Sequence, residues 1–560
     1  MALDAVVVIP ARDEEDRIAA CLHALAAQTV SSFETIVVLD ACADATESLT
    51  ARTAERLGLT IQLIPGPGAG SGPARKLGMD LAAERLLAAG APDGLIASTD
   101  ADTRPTPSWL ERQLAHVRAG ERVIAGRVEL EPAERWQLPS GTLRRRERDA
   151  VQRLERVRRV DADAEHHHFA GASLGITAAA YRSVGGLEPV SALEDAAFAT
   201  RLAMHGVPIR RAADVEVHTS ARRSGRARRG LSIDLEVSVW SERCRYEAAD
   251  FPLDRLKALK GDTSIAVVVP TKECAATIGG VLARTVRPAA RAGLIDETVV
   301  VDAASRDGTA EVAEASGARV IQQDATLPEF GPALGKGDAM WRSLAMTEAD
   351  VVCFLDGDTA DPDPCHLQGL IGPLLLHPDV VLVKGAFDRP LVRGDLEVPH
   401  EGGRVTELMA RPLLNLYVPR LAGFLQPLAG EFAGRRELLQ EISFPAGYGV
   451  EIAVLIDALR RHGLIALAES HLGVRHNRHQ PLRALGEMAY AVLAAVERRV
   501  GDGRALLGGH YLRPWEDGTV VHVTVEERPP LAKCLHSGGP VPGKAPDPET
   551  LHRAVAVGRP

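Results

Sequence analysis

Three short apolar runs, each closing on a proline or an aspartate, occur in the first half of this 560-residue chain and return in the same order in the second. Ala5 to Glu14 reads AVVVIPARDE, and Ala266 to Glu273 reads AVVVPTKE. Ile36 to Thr46 reads IVVLDACADAT, and Thr298 to Thr309 reads TVVVDAASRDGT. Leu95 to Pro107 reads LIASTDADTRPTP, and Val351 to Pro364 reads VVCFLDGDTADPDP. Valine-rich runs of this kind fit parallel strands buried on both faces. The Ala- and Leu-rich stretches between them, such as Ile18 to Ala27 and Asp80 to Ala89, have helical spacing and supply the covering layers. The pattern predicts an α/β protein of two tandem units, each a mainly parallel sheet flanked by helices. At about 150 residues per domain, two large units suit this length. We assign 1–235 to the first unit and 245–530 to the second, and read 531–560, rich in Gly, Pro and Ser, as a tail without fixed structure.

Apolar residues make up 46% of the chain and charged residues 25%, which is a globular profile. A net charge of -10 argues against a general nucleic-acid binder, whose phosphate contacts need a basic surface. The seven cysteines (Cys21, Cys42, Cys244, Cys274, Cys353, Cys365 and Cys534) are odd in number and form no C-x-x-C pair, as expected of reduced thiols in the cytoplasm. No run reaches the roughly 18 uninterrupted apolar residues of a membrane span. The first residues lead straight into a strand without a signal-peptide pattern, so the expectation is a cytoplasmic protein.

In open α/β sheets the ligand lies outside the carboxyl ends of the strands, where the polar residues of both halves fall. A D-x-D at such an end suits a hard divalent cation, Mg²⁺ or Mn²⁺, shared with diphosphate oxygens. Asp356 and Asp358 mark that place in the second half, and Asp100 and Asp102 in the first. Asp302 and Asp40, closing the second strands, are suited to accept hydrogen bonds from a uracil or ribose, while Asp307 and Asp44 read as caps of the following helices. Gly331 to Asp338 (GPALGKGD) looks like a P-loop, but it does not follow the first strand and lacks Ser or Thr after the lysine. Lys336 is left as a diphosphate contact. Gly66 to Ala74, followed by Arg75 and Lys76, holds the corresponding place in the first half. No G-x-G-x-x-G follows either first strand, which disfavours a dinucleotide-binding domain. The basic run Arg222 to Arg229 reads either as a solvated linker or as a phosphate-facing loop of the first unit.

Together these features resemble the GT-A fold of glycosyltransferases that use nucleoside-diphospho sugars. From about Phe251 to Pro529 the chain is similar in more detail to glucosyl-3-phosphoglycerate synthases, through GKGDAMWRSL (Gly335 to Leu344), GGRVTELMARPLL (Gly402 to Leu414), LQPLAGEFAGRRELL (Leu425 to Leu439) and FPAGYGVEIAVLID (Phe444 to Asp457). The resemblance implies retaining, metal-dependent transfer of glucose from a nucleoside-diphospho-glucose to 3-phosphoglycerate by a homodimer. It implies nucleotide-sugar contacts at Pro270, Thr271, Lys272, Glu273, Cys274, Ala303, Lys336, Asp356, Gly357, Tyr448, Gly449, Val450 and Glu451, with Glu451 orienting the sugar. The metal aspartate falls on Asp358, and the acceptor site on Gly403, Arg404, Val405 and Thr406, an anion site of arginine and consecutive amides.

Two departures stand out. Pro270-Thr-Lys-Glu273-Cys274 places its acid one position early relative to the family's P-x-x-Asn-Glu, which weakens uracil recognition there. After Leu472-Gly-Val-Arg475, the family's metal histidine falls on Asn477, with His476 beside it, and its acceptor-contacting asparagine falls on His479. The first unit resembles the broad inverting class: it keeps Pro10 and Glu14, and its Glu194-Asp195 opens a helix where such enzymes carry a general base, here Asp195. Acids favoured by the helix macrodipole are the plainer reading of that pair. His166 to His168 read as a structural loop and His218 as a weak candidate ligand. Two alternatives stand beside the main reading: an inverting transfer by the first unit to another acceptor, and a non-catalytic sugar-nucleotide sensor.

Overall fold

The computed structural model describes residues 3–190, 192–225, 229–393, 396–398, 402–475, 481–501, 508–515 and 518–536. The chain divides into two compact units, Met1–Glu242 and Arg243–Pro560. In the first, strands β1 (Ala5–Ala11), β2 (Phe33–Leu39), β3 (Ile61–Pro65), β4 (Leu95–Ser98), β5 (Thr103–Pro105), β6 (Val123–Leu130), β7 (Leu174–Thr177) and β8 (Arg210–Thr219) form one sheet in the order β3-β2-β1-β4-β7-β6-β8-β5. Strands β1 to β4 pair in parallel, and β7 runs antiparallel to both its neighbours. The valine run of β1 is buried throughout because the sheet is covered on both sides. Val7 and Ile9 pack with Ile18, Leu22, Leu25 and Trp109 on one face, and Val6 and Val8 pack with Met79, Leu86, Tyr181 and Phe198 on the other.

The second unit repeats this plan. Strands β9 (Arg245–Glu247), β10 (Ile265–Thr271), β11 (Glu297–Asp302), β12 (Arg319–Gln322), β13 (Val351–Phe354), β14 (Leu382–Asp388), β15 (Phe432–Arg435) and β16 (Leu467–Val474) assemble in the order β12-β11-β10-β13-β15-β14-β16-β9. Strand β15 is its antiparallel member. Both halves are therefore mainly parallel sheets flanked by helices, as the repeat predicts.

Four helices carry the residues at the strand ends: α1 (Ser71–Ala88), α2 (Glu194–Met204), α3 (Lys336–Ser343) and α4 (Val450–His462). Helix α1 leaves Gly70 at φ 107°, and α3 leaves Gly335 at φ 145°, a region that glycine enters without steric cost. The second residue of each helix is also a glycine, held against backbone. A Cβ on Gly72 would lie 1.9 Å from the Val190 carbonyl oxygen, and one on Gly337 would lie 1.9 Å from that of Pro445. These contacts bring the start of α1 onto the start of α2, and the start of α3 onto the start of α4.

The repeat is shifted by one residue at the second strand. Pro10 lies opposite Val38 and Pro270 opposite Val301, so the strand register matches Asp302 to Leu39 and Ala303 to Asp40. Positive-φ residues Ala41 and Ala304 follow at equivalent points. Strand neighbours face opposite ways, so this one-residue offset turns the two aspartates in different directions.

The described residues continue beyond the expected limit at 530. Leu531–His536 is helical with Leu531 buried, and residues 537–560 lie outside those described. All seven cysteines are free thiols. Among the described residues no helix is long and apolar enough to cross a membrane.

Gly72→Ala and Gly337→Ala each force a methyl group into a backbone carbonyl. Each is expected to destabilise its own unit by roughly 1–3 kcal/mol. Urea unfolding of the full chain checks this, and an unchanged transition for either variant contradicts the packing described.

Candidate functional site

Each unit has a cleft at the carboxyl ends of its parallel strands. At the centre of each, a cation bridges the first aspartate of D-x-D and an acid at the start of the facing helix; Arg75 is buried and Lys336 is partly exposed. In the second unit Lys336 Nζ lies 2.5 Å from Asp356 Oδ1 and 3.4 Å from Glu451 Oε1. In the first unit Arg75 does the same work from the second turn of α1, donating from Nη2 to Asp100 Oδ1 at 2.6 Å and from Nε to Glu194 Oε1 at 3.2 Å. Its Nη1 donates to Ser98 Oγ at 2.5 Å and to the Gly171 carbonyl at 3.0 Å. Burial opposes ionisation of Asp356. The ion pairs nevertheless win at Asp356, where Lys336 and then Arg475 hold the carboxyl well below the usual carboxylate range.

The second cleft has a further layer beneath Asp356. Arg475, 1% exposed, donates from Nη1 to Glu431 Oε1 at 2.8 Å, and from Nη2 to Thr359 Oγ1 at 2.6 Å and to Asp356 Oδ2 at 3.3 Å. Burial pushes Glu431 up to about 6 against the pull of Arg475. Gly430 has no room for a side chain, since a Cβ there would meet Lys336 Nζ at 2.1 Å and Asp356 Oδ1 at 2.6 Å. Asp358 is different. Its side chain is 78% exposed, and Arg475 comes no nearer than 3.9 Å.

Pro270, Thr271, Lys272, Cys274, Ala303, Lys336, Asp356, Gly357, Asp358 and Tyr448 all line this cleft, so the sequence reading brought together residues from five separate segments. Others stand behind the wall. Asp302 is 1% exposed and is occupied with Ser305 and Gln322 Nε2, so it shapes the loop, and the wall position opposite is Ala303. Glu273, at φ 54°, turns its carboxylate to the Arg306 amide at 3.0 Å, leaving Cys274 to face the cleft. Gly449 and Val450 are packing residues, Gly449 against the Ala491 carbonyl and Val450 against Gly337. Gly403, Arg404, Val405 and Thr406 begin a helical segment away from this wall, and Gly402 N donates to the Arg389 carbonyl at 2.9 Å. His476, Asn477 and His479 lie outside the described residues.

Three residues that the motifs did not single out surround the same centre: Glu431, Arg389 and Lys384. Arg389 Nε is buried without a hydrogen-bond partner among the described residues. Lys384 is fully buried on β14, its ammonium donating to the Ala429 carbonyl and lying 5.0 Å from the Phe432 ring centre. Burial lowers it to about 8, against the opposing pull of Glu451.

In the first unit Pro10, Asp40, Asp100, Asp102 and Asp195 all line the cleft. Asp40 accepts from the amides of Gly68 at 2.6 Å and Gly70 at 2.9 Å, so it anchors the glycine loop that leads into α1. Asp102 meets Arg222 Nη2 at 2.8 Å, and burial pushes it up to about 6 although Arg222 opposes the shift. Asp195 follows Glu194 but is not the acid that Arg75 holds; burial and then the charge of Glu194 raise it. Asp44 and Asp307 have matching roles, accepting from Thr46 N at 3.0 Å and Thr309 N at 3.1 Å at the starts of their helices. The histidines are structural. His166 faces the carbonyls of Ala125 and Ala212, and His218 pairs with Glu216 at 3.0 Å.

Comparison with known proteins accounts for the repetition. The model of the family described as Glycosyl transferase family 2 matches twice, over residues 6–177 and 266–441. The chain belongs to glycosyl transferase family 2. It is a glycosyltransferase with two GT-A units. Among curated relatives, it is 43% identical over 279 residues to the glucosyl-3-phosphoglycerate synthase of Mycolicibacterium smegmatis, an alignment spanning 49% of this chain and 91% of that protein. The Mycobacterium tuberculosis enzyme of the same name is 45% identical over 252 residues, 44% of this chain and 77% of that protein. Among solved structures, mannosyl-3-phosphoglycerate synthase from Rubrobacter xylanophilus is 41% identical, with a TM-score of 0.48 over 53% of this chain and 97% of that one. Family members thus correspond to about half of this glycosyltransferase, and the other half is a second copy of the family domain.

Lys384 titrates near 8 when folded and at 10.5 when unfolded, so its charge costs stability fully below pH 8 and not at all above pH 10.5. At 1.36 kcal/mol per pKa unit this is roughly 3 kcal/mol. Lys384→Met is therefore expected to lose roughly 3 kcal/mol of stability relative to the parent as pH rises through that window, read by urea unfolding at each pH. A pH-independent difference contradicts the burial of a charged lysine.

Proposed function

We propose that the second unit transfers glucose from a nucleoside-diphospho-glucose to the hydroxyl of 3-phosphoglycerate, giving glucosyl-3-phosphoglycerate with retention. The observation that carries this reading is the cleft around Lys336, Asp356 and Glu451, built from the long strings shared with glucosyl-3-phosphoglycerate synthases and supported by relatives at 43% identity across nearly their whole length. Lys336 holds the diphosphate side of the donor, and Glu451, fixed by Lys336, orients the sugar. Asp356 is paired with Lys336 and Arg475, and fixes both. Asp358, exposed beside it, is the carboxylate with oxygens to spare for Mg²⁺ or Mn²⁺, which suits a hard ion that completes its shell with diphosphate oxygens. Such an ion, when bound, supplies Lewis-acid stabilisation of the leaving diphosphate.

The acceptor is a doubly anionic molecule. Arg404 and the amides of Gly403 to Thr406 form one anion site, and Arg389, tied to that loop through Gly402, offers a guanidinium with an unused donor. Both support recognition of phosphate and carboxylate together.

For the first unit the geometry favours inverting transfer to a separate acceptor. Its helix α2 opens with two acids, and Arg75 holds only Glu194, which leaves Asp195 in the cleft with a raised pKa suited to a general base. At the equivalent helix start of the second unit the acid, Glu451, is held by Lys336.

Purified full-length protein given nucleoside-diphospho-glucose, 3-phosphoglycerate and Mg²⁺ is expected to release nucleoside diphosphate, and Asp358→Ala to abolish that release. Arg389→Ala should raise KM for 3-phosphoglycerate roughly 10- to 100-fold, the worth of a hydrogen bond to a charged group, with a smaller change for the donor. Release that survives Asp358→Ala but not Asp100→Ala would assign the activity to the first unit. Tight nucleotide binding without turnover for any donor and acceptor would favour a sensor.

A further inference from the structure

The two D-x-D sites differ at their second aspartate, and the difference is chemical. In the second unit Asp358 projects into the cleft, 78% exposed. In the first, Asp102 is 15% exposed and meets Arg222 Nη2 at 2.8 Å. The same guanidinium grips Glu14 with both nitrogens, Nη1 to Oε2 at 2.8 Å and Nη2 to Oε1 at 2.7 Å. Glu14 has no counterpart in the second unit, where Cys274 takes its place before the following helix: Glu14 N donates to Thr46 Oγ1, and Cys274 N to Thr309 Oγ1. Two carboxylates thus converge on one arginine in the first cleft, whereas at the equivalent D-x-D position of the second cleft Asp358 is exposed.

Arg222 is held there by its own backbone. Ser220 N donates to the Asp102 carbonyl at 3.2 Å, Ala221 N donates to Glu134 Oε2 at 2.7 Å, and Ser220 Oγ donates to the same oxygen at 3.0 Å. Arg222 N in turn donates to Ser220 Oγ at 3.1 Å. Glu134 is fixed by Arg17 at 2.5 Å. A divalent cation needs carboxylate oxygens at about 2.0–2.2 Å, and on Asp102 it would meet a guanidinium already in contact with that group. The first unit therefore does not fit the metal assigned to the second.

We propose that Arg222 stands in for the divalent cation in the first unit, which binds a nucleoside diphosphate through guanidinium groups and without metal. The inference rests on the reading of the first cleft as a nucleotide-sugar site. A guanidinium matches phosphate oxygens in a bidentate fork, keeps its charge at all physiological pH values, and retains a carboxylate partner while it binds. Arg12 and Arg229 line the same cleft as further guanidinium groups, while Arg75 is taken up by Asp100 and Glu194.

The test uses the full chain carrying Asp358→Ala, which removes the exposed carboxylate of the second unit. Electron paramagnetic resonance of added Mn²⁺ counts bound metal, with no nucleotide present. The parent of this series is expected to bind none, and the further change Arg222→Ala, which leaves Glu14 and Asp102 facing each other without a cation, to bind one equivalent. Arg222→Lys keeps the charge, so it should remain metal-free, and it covers the case in which the alanine variant fails to fold. Calorimetric titration with UDP, GDP and ADP in EDTA should show one nucleotide bound, at least 10-fold more weakly by Arg222→Lys, which loses the fork. Mn²⁺ bound by the parent and lost with Asp102→Ala overturns the inference, as does a folded Arg222→Ala variant that takes up no Mn²⁺ or nucleotide binding that requires Mn²⁺. If none of the three nucleotides binds with or without Mn²⁺, the nucleotide-site reading beneath the inference falls, while the Mn²⁺ count still reports on Arg222.

Discussion

A cation set between a strand-end aspartate and a helix-start acid organises each half of this glycosyltransferase. Lys336 joins β13 to α4 through Asp356 and Glu451, and Arg75 joins β4 to α2 through Asp100 and Glu194. Charges so enclosed are tolerable only as a set. Removing one partner of a buried pair typically costs about 3–5 kcal/mol, because its mate is then left uncompensated in a poorly polarisable surrounding. The close packing at Gly72, Gly337 and Gly430 follows from this requirement, since each glycine admits the backbone or cation that completes the set. The site is therefore rigid before any ligand arrives, as a transition-state-stabilising environment needs to be.

On this shared base the two halves place their second aspartates in opposite circumstances. Asp358 is left in water above the cluster formed by Arg475 and Glu431, while Asp102 is drawn into a cluster with Arg222 and Glu14. One unit leaves an anionic oxygen available and the other closes it with a cation from its own chain. The same family domain thus carries two different electrostatic surfaces at equivalent strand ends. Their helix-start acids differ as well: Arg75 holds Glu194 with Asp195 beside it, and Lys336 holds Glu451.

Much of this architecture was legible in the sequence because strand ends in parallel sheets carry both fold and chemistry. The valine runs, the prolines and the D-x-D pairs gave the two sheets and most of the cleft walls. The register of the second strand was not legible. Matching letters aligned Asp40 with Asp302, whereas strand pairing sets them one residue apart and so on opposite faces. The ion-pair partners were hidden for another reason: Arg222 and Glu14 are 208 residues apart, and Arg475 and Asp356 are 119 apart. No local periodicity reports such pairs. Lys384 and Arg389 lie in a strand and a strand end that read as ordinary structure, and Glu431 lies inside a family string without being singled out, until folding brings them beneath the cleft.

The central cations come from different turns of equivalent helices. Glycine contacts match Ser71 to Lys336 and Glu194 to Val450, so Arg75 sits one turn beyond the lysine position and reaches an acid one residue earlier on the facing helix. Donor and acceptor have moved together. A lysine at position 71 alone would crowd two cations against Asp100, and losing Arg75 alone would leave the buried Glu194 and the partly exposed Asp100 without their shared cation. A duplicated gene that passes from one arrangement to the other must therefore cross a mispaired intermediate, and this isolates the halves from each other. Once such a double change is fixed, recombination between the two copies joins unmatched partners, so each half is free to specialise without being drawn back toward its twin.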